Sequence, residues 1–194
     1  MSSRENILAA VKKNQPPLTI LPDISIFQVH EVDIVKKYSD VFTGIGGLLV
    51  SAGSLANVKD QIRLNFDQNK RIFTTIPSLS DVAELCDPQA DPHSLFDVEL
   101  AIIEARLAVA ENGAVWVTED VMGHRILPYI AQHLAVLVYE DRIVSTMHDA
   151  YSKIGSEDYG FGGFIGGPSK TADIEQALVL GAHGPLSMTV YLIN

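Results

Sequence analysis

The residues best suited to binding a small molecule lie in one glycine-rich segment near the end of the chain. Phe164-Ile-Gly-Gly-Pro-Ser-Lys-Thr-Ala-Asp-Ile-Glu175 runs from an apolar stretch through a tight loop into a segment predicted to be helical over Asp173–Leu180. Glycines let a backbone approach a ligand closely. Free amides at a helix start, together with hydroxyl and ammonium groups, suit a carboxylate or phosphate. We therefore predict a site for a small anionic ligand, using Gly166, Gly167, Ser169, Lys170 and Thr171.

The same segment also has a purely structural interpretation. Asp173 and Gln176 have the spacing of a capping box, and Ser169 and Thr171 are common turn residues. The loop is not a P-loop and contains no G-x-G-x-x-G motif. Anion binding and a structural turn both remain open from the pattern alone.

A second candidate is the turn that contains Glu111. Ala108-Val-Ala-Glu-Asn-Gly-Ala-Val-Trp-Val-Thr118 places this carboxylate before Asn112-Gly113, a dipeptide that favours positive φ, and a strand follows. Ligands of open α/β sheets collect in loops at strand ends. Glu111 is therefore a candidate nucleophile, general base or hydrogen-bond acceptor. The alternative is a surface hairpin with a solvated carboxylate.

The histidine and cysteine pattern argues against a metal site and against a cluster on this chain. The six histidines show no His-x-x-x-His spacing, and a single cysteine, Cys86, forms neither an internal disulfide nor an iron–sulfur cluster that needs four ligands. His183 lies between the predicted helix and the last strand. It either faces the cleft of Ser169 or caps the helix end.

Composition and charge narrow the class of protein. The 194 residues are 47% hydrophobic and 20% charged, which is typical of one globular domain. The net charge of -10 argues against general binding of nucleic acid or of an anionic membrane. The sequence shows no signal-peptide core and no apolar run of membrane-spanning length. A cytoplasmic location is expected.

Alternating apolar runs and amphipathic stretches indicate how these candidates are positioned. We predict an N-terminal helical arm over residues 1–15, which leaves self-association open as a homo-oligomer, and an α/β domain over residues 24–194. Apolar strands interleaved with helices predict a single open, mostly parallel, Rossmann-like sheet with helices on both faces. The glycine cluster Tyr159-Gly-Phe-Gly-Gly163 could fold over a ligand as a lid, or it could be only a long connection. The predicted helices are Glu31–Thr43, Ser54–Phe66, Arg125–Gln132 and Ile143–Lys153, and the predicted strands are Leu48–Val50, Arg71–Ile76, Val98–Ile103, Ala114–Thr118, Leu134–Tyr139 and Met188–Ile193.

The C-terminal motif resembles a known family. Gly167-Pro-Ser-Lys-Thr-Ala-Asp-Ile-Glu175, followed by Leu178-Val-Leu-Gly-Ala-His-Gly-Pro185, is similar to the Gly-Pro-Ser-Arg-Thr-Ala-Asp-Ile-Glu and Leu-Val-Leu-Gly-Val-His-Gly-Pro signature of LUD-domain proteins, especially the lactate utilization protein C (LutC/YkgG) group. The Glu111 segment resembles the Ala-Ala-Ile-Ala-Glu-Thr-Gly-Thr segment of that family. Lys170 stands where the family usually has Arg, and Asn112 replaces a Thr.

The resemblance implies a fold, a pathway and a set of residues. It implies the fold of the sugar-phosphate isomerase and CoA-transferase superfamily. It also implies a non-redox role in an L-lactate-to-pyruvate oxidation system, in which partner proteins carry the iron–sulfur clusters and this chain alone binds no cofactor. The site that it implies consists of Glu111, Gly167, Pro168, Ser169, Thr171, Asp173, Glu175, His183 and Gly184.

Two other hypotheses compete with this one. The chain could be a stand-alone enzyme that acts on a sugar-phosphate or acyl-CoA-type substrate, with Glu111 as nucleophile or base. It could also be a scaffold or regulatory module whose glycine loop is only structural.

Overall fold

The computed structural model describes residues 2–20, 22–27, 33–171 and 179–194. Its helices are α1 (Ser3–Lys13), α2 (Ile34–Gly44), α3 (Leu55–Asn65), α4 (Glu119–Met122), α5 (Leu127–Ile130) and α6 (Met147–Ile154). Its strands are β1 (Leu48–Ser51), β2 (Arg71–Thr74), β3 (Glu84–Leu85), β4 (Val98–Glu104), β5 (Leu107–Val109), β6 (Val115–Thr118), β7 (His133–Tyr139), β8 (Ile143–Val144), β9 (Gly162–Ile165), β10 (Lys170–Thr171), β11 (Val179–Leu180) and β12 (Ser187–Ile193).

Six strands form a wholly parallel sheet in the order β1-β12-β7-β4-β2-β3. The three central strands, β12, β7 and β4, are long and almost entirely buried. Strands covered on both faces read as continuous apolar runs, which is why these strands are visible in the sequence. The prediction of an open, mostly parallel α/β sheet is confirmed.

Alternate residues of the central strands pack into two separate cores. On one face, Leu100 and Ile102 of β4 lie in the same core as Val58 and Ile62 of α3. On the other face, Ala101 and Ile103 pack in a core that includes α2 and α5. Helices therefore cover both faces of the sheet, as predicted.

A second sheet was not foreseen. Strands β8-β5-β6-β9 form a four-stranded sheet, in which β5 pairs antiparallel with β6 and β6 pairs antiparallel with β9. Residues Ala108, Val115 and Val117 of this sheet lie in the same core as α2. The small sheet thus packs against one face of the large one, next to α2.

Side-chain caps fix several helix starts where the sequence places them. Ser54 caps α3 by accepting a hydrogen bond from the Asn57 amide at 3.3 Å. Ser2 and Glu5 form the expected capping box of α1. Helix α1 buries none of its residues, and its apolar side chains Ile7, Leu8 and Val11 are exposed. Helix caps depend on residues close together in the sequence, so they can be predicted without knowledge of the tertiary fold.

Three predicted helices need correction. The predicted helix over Ile143–Lys153 begins only at Met147, because Ile143 and Val144 pair with Ala108 and Val109 as strand β8. The helix over Arg125–Gln132 shrinks to Leu127–Ile130, with Pro in its first turn. The helix over Asp173–Leu180 does not reach its predicted end, because Val179–Leu180 pair with Lys170–Thr171. Residues 172–178 lie outside the described residues.

Candidate functional site

The two candidate segments meet at Ile45, the C-cap residue that follows helix α2. Gly113 has φ +72°, and a Cβ on it would lie 3.0 Å from Ile45 Cδ1 and 3.1 Å from Phe42 Cα. Gly167 has φ +82°, and a Cβ there would lie 3.3 Å from the Ile45 carbonyl oxygen. Only glycine combines a left-handed backbone with such close approach. The Glu111 turn and the Gly166–Lys170 loop therefore share one packed surface.

Strand pairing explains why these segments are neighbours. Val115 of β6 pairs with Ile165 of β9, so Ala114 and Gly166 continue the two strands side by side. A Cβ on Gly166 would lie 4.0 Å from the Ala114 Cβ. Each segment therefore leaves the small sheet at the same end and turns onto helix α2.

Lys170 ties the loop to the end of α2. Its Nζ donates a hydrogen bond to the Ile45 carbonyl, and Nζ would lie 3.4 Å from a Cβ on Gly46, which has φ +90°. A cation at a helix C-terminus complements the helix dipole. We call Ile45, Gly46, Gly113, Gly167 and Lys170 the glycine hub.

Glu111 is engaged in a comparable way at another helix end. Its Oε2 accepts a hydrogen bond of 2.7 Å from the amide of Met147, the first residue of α6. The Glu111 amide donates to the Ser145 carbonyl at 3.0 Å. The exposed carboxylate thus complements the positive end of α6. Glu111 thus accepts a hydrogen bond, which is one of the roles that the sequence allows, although its side chain is exposed.

Ser169 lies against the segment that leads into β12. Its amide donates to the Pro185 carbonyl at 2.9 Å, and its carbonyl accepts from the Gly181 amide at 3.2 Å. A Cβ on Gly184 would lie 3.2 Å from the Ser169 Cβ. Backbone hydrogen bonds therefore join the loop to the Gly181–Pro185 turn.

The remaining predicted site residues differ in their surroundings. Pro168 is buried, whereas the side chain of His183 is exposed. Thr171 contributes its backbone to β10, where it pairs with Val179. Asp173 and Glu175 lie outside the described residues. The described residues bring together Gly166, Gly167, Ser169, Lys170 and Gly184 with the turn that follows Glu111.

A large opening lies elsewhere and was not foreseen from the sequence. A cleft of about 850 Å³ opens beyond the carboxyl ends of β4 and β7, between the small sheet and the end of α6. We call it the carboxyl-end cleft. It is lined by Arg106, Leu107, Trp116, Thr118, Glu119, Asp120, Asp141, Arg142, Lys153, Ile154, Glu157, Asp158, Tyr159 and Gly160.

Most cations of the carboxyl-end cleft already have partners. Arg106 pairs with Asp120, and Arg142 pairs with Glu104 at 2.7 Å. Among the described residues, Lys153 forms no ion pair. Tyr159 packs edge-on against Trp116, with ring centroids 5.2 Å apart. The predicted lid passage therefore contributes one wall of this cleft, while Gly162–Ile165 form a strand.

The general rule for open α/β sheets could have signalled this cleft. Ligands of such sheets bind outside the carboxyl ends of the parallel strands. Arg106 lies two residues beyond the end of β4, and Asp141 lies two residues beyond the end of β7. By contrast, the glycine hub precedes β1 and adjoins the residues that precede β12, so it lies at the amino end of the large sheet.

The described residues contain no group of three or more His, Cys, Asp and Glu side chains arranged to hold a metal ion. Within the same residues, no helix has both the length and the apolar character needed to cross a membrane.

Burial raises the pKa of the Cys86 thiol above its ordinary value.

Comparison with solved structures defines the class of fold. The chain resembles a DUF162 family protein from Deinococcus radiodurans with a TM-score of 0.63 and 17% sequence identity. The likeness covers 83% of this chain and 96% of that protein. At this level of identity the likeness establishes the α/β fold.

Comparison of sequences defines the family. The LUD domain matches residues 83–193, which is more than half of the chain and includes the Glu111 turn, the glycine-rich loop and His183. The chain belongs to the LUD-domain family. The assignment suggested by the C-terminal motif is thereby confirmed.

Several curated relatives share one name. Lactate utilization protein C 1 of Bacillus mycoides is 30% identical over 115 residues, which is 56% of this chain and 49% of the relative. Lactate utilization protein C of Shouchella clausii is 29% identical over 131 residues, 63% of this chain and 55% of the relative. The protein of the same name from Exiguobacterium sp. is 24% identical over 183 residues, which is 84% of this chain and 79% of the relative. The matched region spans about half the length of the first two relatives.

Proposed function

We propose that this protein acts in lactate utilization, as a non-redox component of a system that oxidises L-lactate to pyruvate. The observation that carries the proposal is membership of the LUD-domain family, together with relatives named lactate utilization protein C in several bacteria. These relatives match the part of the chain that contains both candidate segments.

The proposal assigns the redox chemistry to partner proteins that carry iron–sulfur clusters. A cluster is normally held by four protein ligands, and Cys86 is the only cysteine among the 194 residues. The half-buried thiol of Cys86 lies near Gly123, with Sγ 3.1 Å from a Cβ placed there. The chain would therefore work beside such proteins.

The proposal also gives this chain a small anionic ligand at the glycine-rich loop. An ammonium group has three donors, and Lys170 uses one of them on the Ile45 carbonyl. Two donors remain on an exposed side chain, next to the half-buried Ser169. A carboxylate of the size of lactate or pyruvate could accept hydrogen bonds from Lys170 and Ser169 together.

Growth of the native host tests the role in the pathway. We expect deletion of the gene to abolish growth on L-lactate but not on pyruvate, because pyruvate is the product of the proposed pathway. Complementation with the wild-type gene should restore growth on L-lactate. Equal growth of the deletion strain and its parent on L-lactate would overturn the proposed role.

Two lysine variants test the ligand site within the same strain. Lys170→Met removes the cation of the loop, whereas Lys153→Met makes the same change in the carboxyl-end cleft. We expect only Lys170→Met to impair growth on L-lactate. In purified protein, a ligand at a hundred times its Kd should stabilise the fold by about 2.7 kcal/mol. Thermal unfolding with L-lactate and with pyruvate measures this effect. If the two variants were stabilised equally by these compounds, the result would argue against a ligand site at the glycine-rich loop.

Co-purification tests the partner assignment separately. Gentle purification of the tagged full-length chain from lactate-grown cells should recover proteins that show the absorbance and iron content of iron–sulfur clusters. Recovery of the chain without such proteins, under conditions that preserve known complexes of the host, would contradict this part of the proposal.

A further inference from the structure

Three polar side chains meet at the amino ends of the three central strands. Ser187 begins β12, His133 begins β7, and Glu99 is the second residue of β4. Ser187 and His133 are direct partners in the parallel register. The Ser187 Oγ and His133 Nδ1 are 2.7 Å apart, and His133 Nε2 lies 3.9 Å from Glu99 Oε1. A hydroxyl, an imidazole and a carboxylate thus form a continuous line.

A β-bulge brings Glu99 into this line. Arg71 and Ile72 of β2 are consecutive, but their partners on β4 are Val98 and Leu100, so Glu99 is the extra residue. Regular alternation from Ala101 and Ile103 would direct Glu99 into the core that contains α2. The bulge breaks this alternation, and the carboxylate reaches the imidazole instead. Bulges commonly redirect a side chain next to a functional site.

The surroundings of His133 favour one tautomer. A carboxylate facing Nε2 favours a proton on that nitrogen, which leaves the lone pair of Nδ1 free to accept the Ser187 hydroxyl proton. The Phe66 ring packs against the imidazole with centroids 5.7 Å apart and an interplanar angle of 61°. The imidazole is therefore held on three sides, by Ser187, Glu99 and Phe66.

We propose that Ser187 is a nucleophile activated by His133, and that this site accepts an acyl group from a small carboxylic ester. The side chains of His133 and Glu99 are 28% and 31% exposed, so a small molecule can approach from solvent. A nucleophile hydrogen-bonded to a base, which is in turn oriented by a third group, is the arrangement that activates serine. This proposal is independent of the lactate pathway.

The proposed reaction is an ester hydrolysis in two steps. Ser187 Oγ attacks the acyl carbon while its proton moves to His133 Nδ1. The bond from the acyl carbon to the ester oxygen then breaks, and the leaving alcohol takes the proton from the imidazolium. Water next attacks the acyl-serine, again with its proton passing to His133. The carboxylic acid is released, and the proton returns to Ser187. Glu99 stabilises the imidazolium in both steps and is a positioning residue.

Covalent labelling tests the nucleophile directly. A fluorophosphonate reacts with an activated serine by forming an oxygen–phosphorus bond with loss of fluoride. We expect one adduct per chain, mapped by peptide mass spectrometry to Ser187, and acetylation of the same residue by 4-nitrophenyl acetate. Ser187→Ala should abolish both adducts. His133→Gln should slow labelling by about a hundredfold or more, since it removes the base.

Matched variants separate activation from mere exposure. Glu99→Gln should label at a rate between those of the wild type and His133→Gln, because it removes the charge that supports the imidazolium. Ser94→Ala should label like the wild type, because the Ser94 hydroxyl donates its hydrogen bond to the Asp91 carbonyl at 2.7 Å and not to a base. Circular dichroism and thermal unfolding establish that each labelled variant is folded.

Ser187→Cys provides a second measurement if an alanine variant fails to fold. A thiol at this position should react with iodoacetamide much faster than Cys86, whose pKa is raised by burial. This faster reaction with iodoacetamide should disappear in the Ser187→Cys, His133→Gln double variant. Absence of any Ser187 adduct in the folded wild type, or labelling that proceeds at the same rate in His133→Gln, would overturn the proposal.

Discussion

In the glycine hub a methyl group on Gly113 or Gly167 would lie within 3.0–3.3 Å of its nearest neighbour, whereas the carboxyl-end cleft has an open volume of about 850 Å³. The hub contains residues of the family signature, and its cation contacts a backbone carbonyl. The cleft contains Trp116, Tyr159 and a lysine without an ion pair among the described residues, yet none of them belongs to a recognisable motif. The two regions therefore differ in both packing and charge pairing.

A sequence signature can therefore record backbone geometry as much as chemistry. At Gly113 and Gly167 a positive φ and a close approach each require glycine, whether or not a ligand binds. Stability measurements can therefore separate structural from ligand-binding reasons for the signature residues.

Two glycines of similar conformation provide the largest expected contrast. Gly113→Ala adds a methyl group against the Phe42 backbone at φ +72°, and we expect a loss of about 2–4 kcal/mol in the free energy of unfolding. Gly160→Ala at φ +64° meets the Glu119 carboxylate, which can move at the expense of its pairing with Arg125. Its loss should be about 1–2 kcal/mol. Urea unfolding measures both values.

Gly44→Ala is the control for the backbone argument. Gly44 ends α2, does not have a positive φ, and a Cβ placed on it would have no neighbour within 4 Å. Alanine there should leave stability unchanged or raise it by up to about 1 kcal/mol. Equal losses at Gly113 and Gly160 would show that the hub is not more tightly packed than the cleft.

Tyr38 tests the support behind the hub. It is buried on α2, its ring stacks on Phe42 with centroids 5.7 Å apart, and its hydroxyl has no hydrogen-bond partner within the described part of the chain. An unpaired buried hydroxyl is destabilising, so Tyr38→Phe should raise the free energy of unfolding by about 1–2 kcal/mol. Tyr159→Phe in the carboxyl-end cleft should change it by less than about 0.5 kcal/mol.

The same variant has a definite pH dependence. Burial raises the pKa of the Tyr38 hydroxyl above its ordinary value of 10.0. The contribution of neutral Tyr38 to stability is fully present below the pKa of an unfolded tyrosine and is lost as the pH rises above it. The advantage of Tyr38→Phe should therefore grow above pH ~10. Burial also raises the pKa of Tyr129 and Tyr191. Both residues are present in the wild type and in Tyr38→Phe, so their effects cancel in the difference between the two proteins. A constant difference across this range would contradict the buried, unpaired hydroxyl.

Local signals predicted much of the fold, but contacts distant in sequence decided the rest. The Ser54 cap and the buried runs of β4, β7 and β12 are visible in neighbouring residues alone. Strand β8 is not, because Ile143 and Val144 become a strand only by pairing with Ala108 and Val109. A stretch that is apolar and compatible with a helix can be recruited into a sheet by such a partner.

The candidate site shows the same limit. The sequence singled out the Asn112-Gly113 turn, Gly167 and Lys170, and the structure places their segments together. The contact from Lys170 to Ile45 spans 125 positions, and that from Glu111 to Met147 spans 36, so neither was visible from the sequence. The carboxyl-end cleft was missed because its lining comes from separate segments between Arg106 and Gly160.

The smallest expected effect concerns the two lysines that distinguish the regions. Lys170→Met removes a cation from the C-terminal end of α2 and should lower the free energy of unfolding by about 0.5 kcal/mol. Because the interaction is exposed, the loss should shrink as salt is added. Lys153→Met should leave stability within experimental error, since Lys153 has no ion-pair partner among the described residues. Urea unfolding at low and high salt measures both variants.

If growth on L-lactate fails in Lys170→Met while stability falls by only this amount, the role of Lys170 extends beyond holding the loop to α2. A loss of several kcal/mol would instead attribute the growth defect to unfolding.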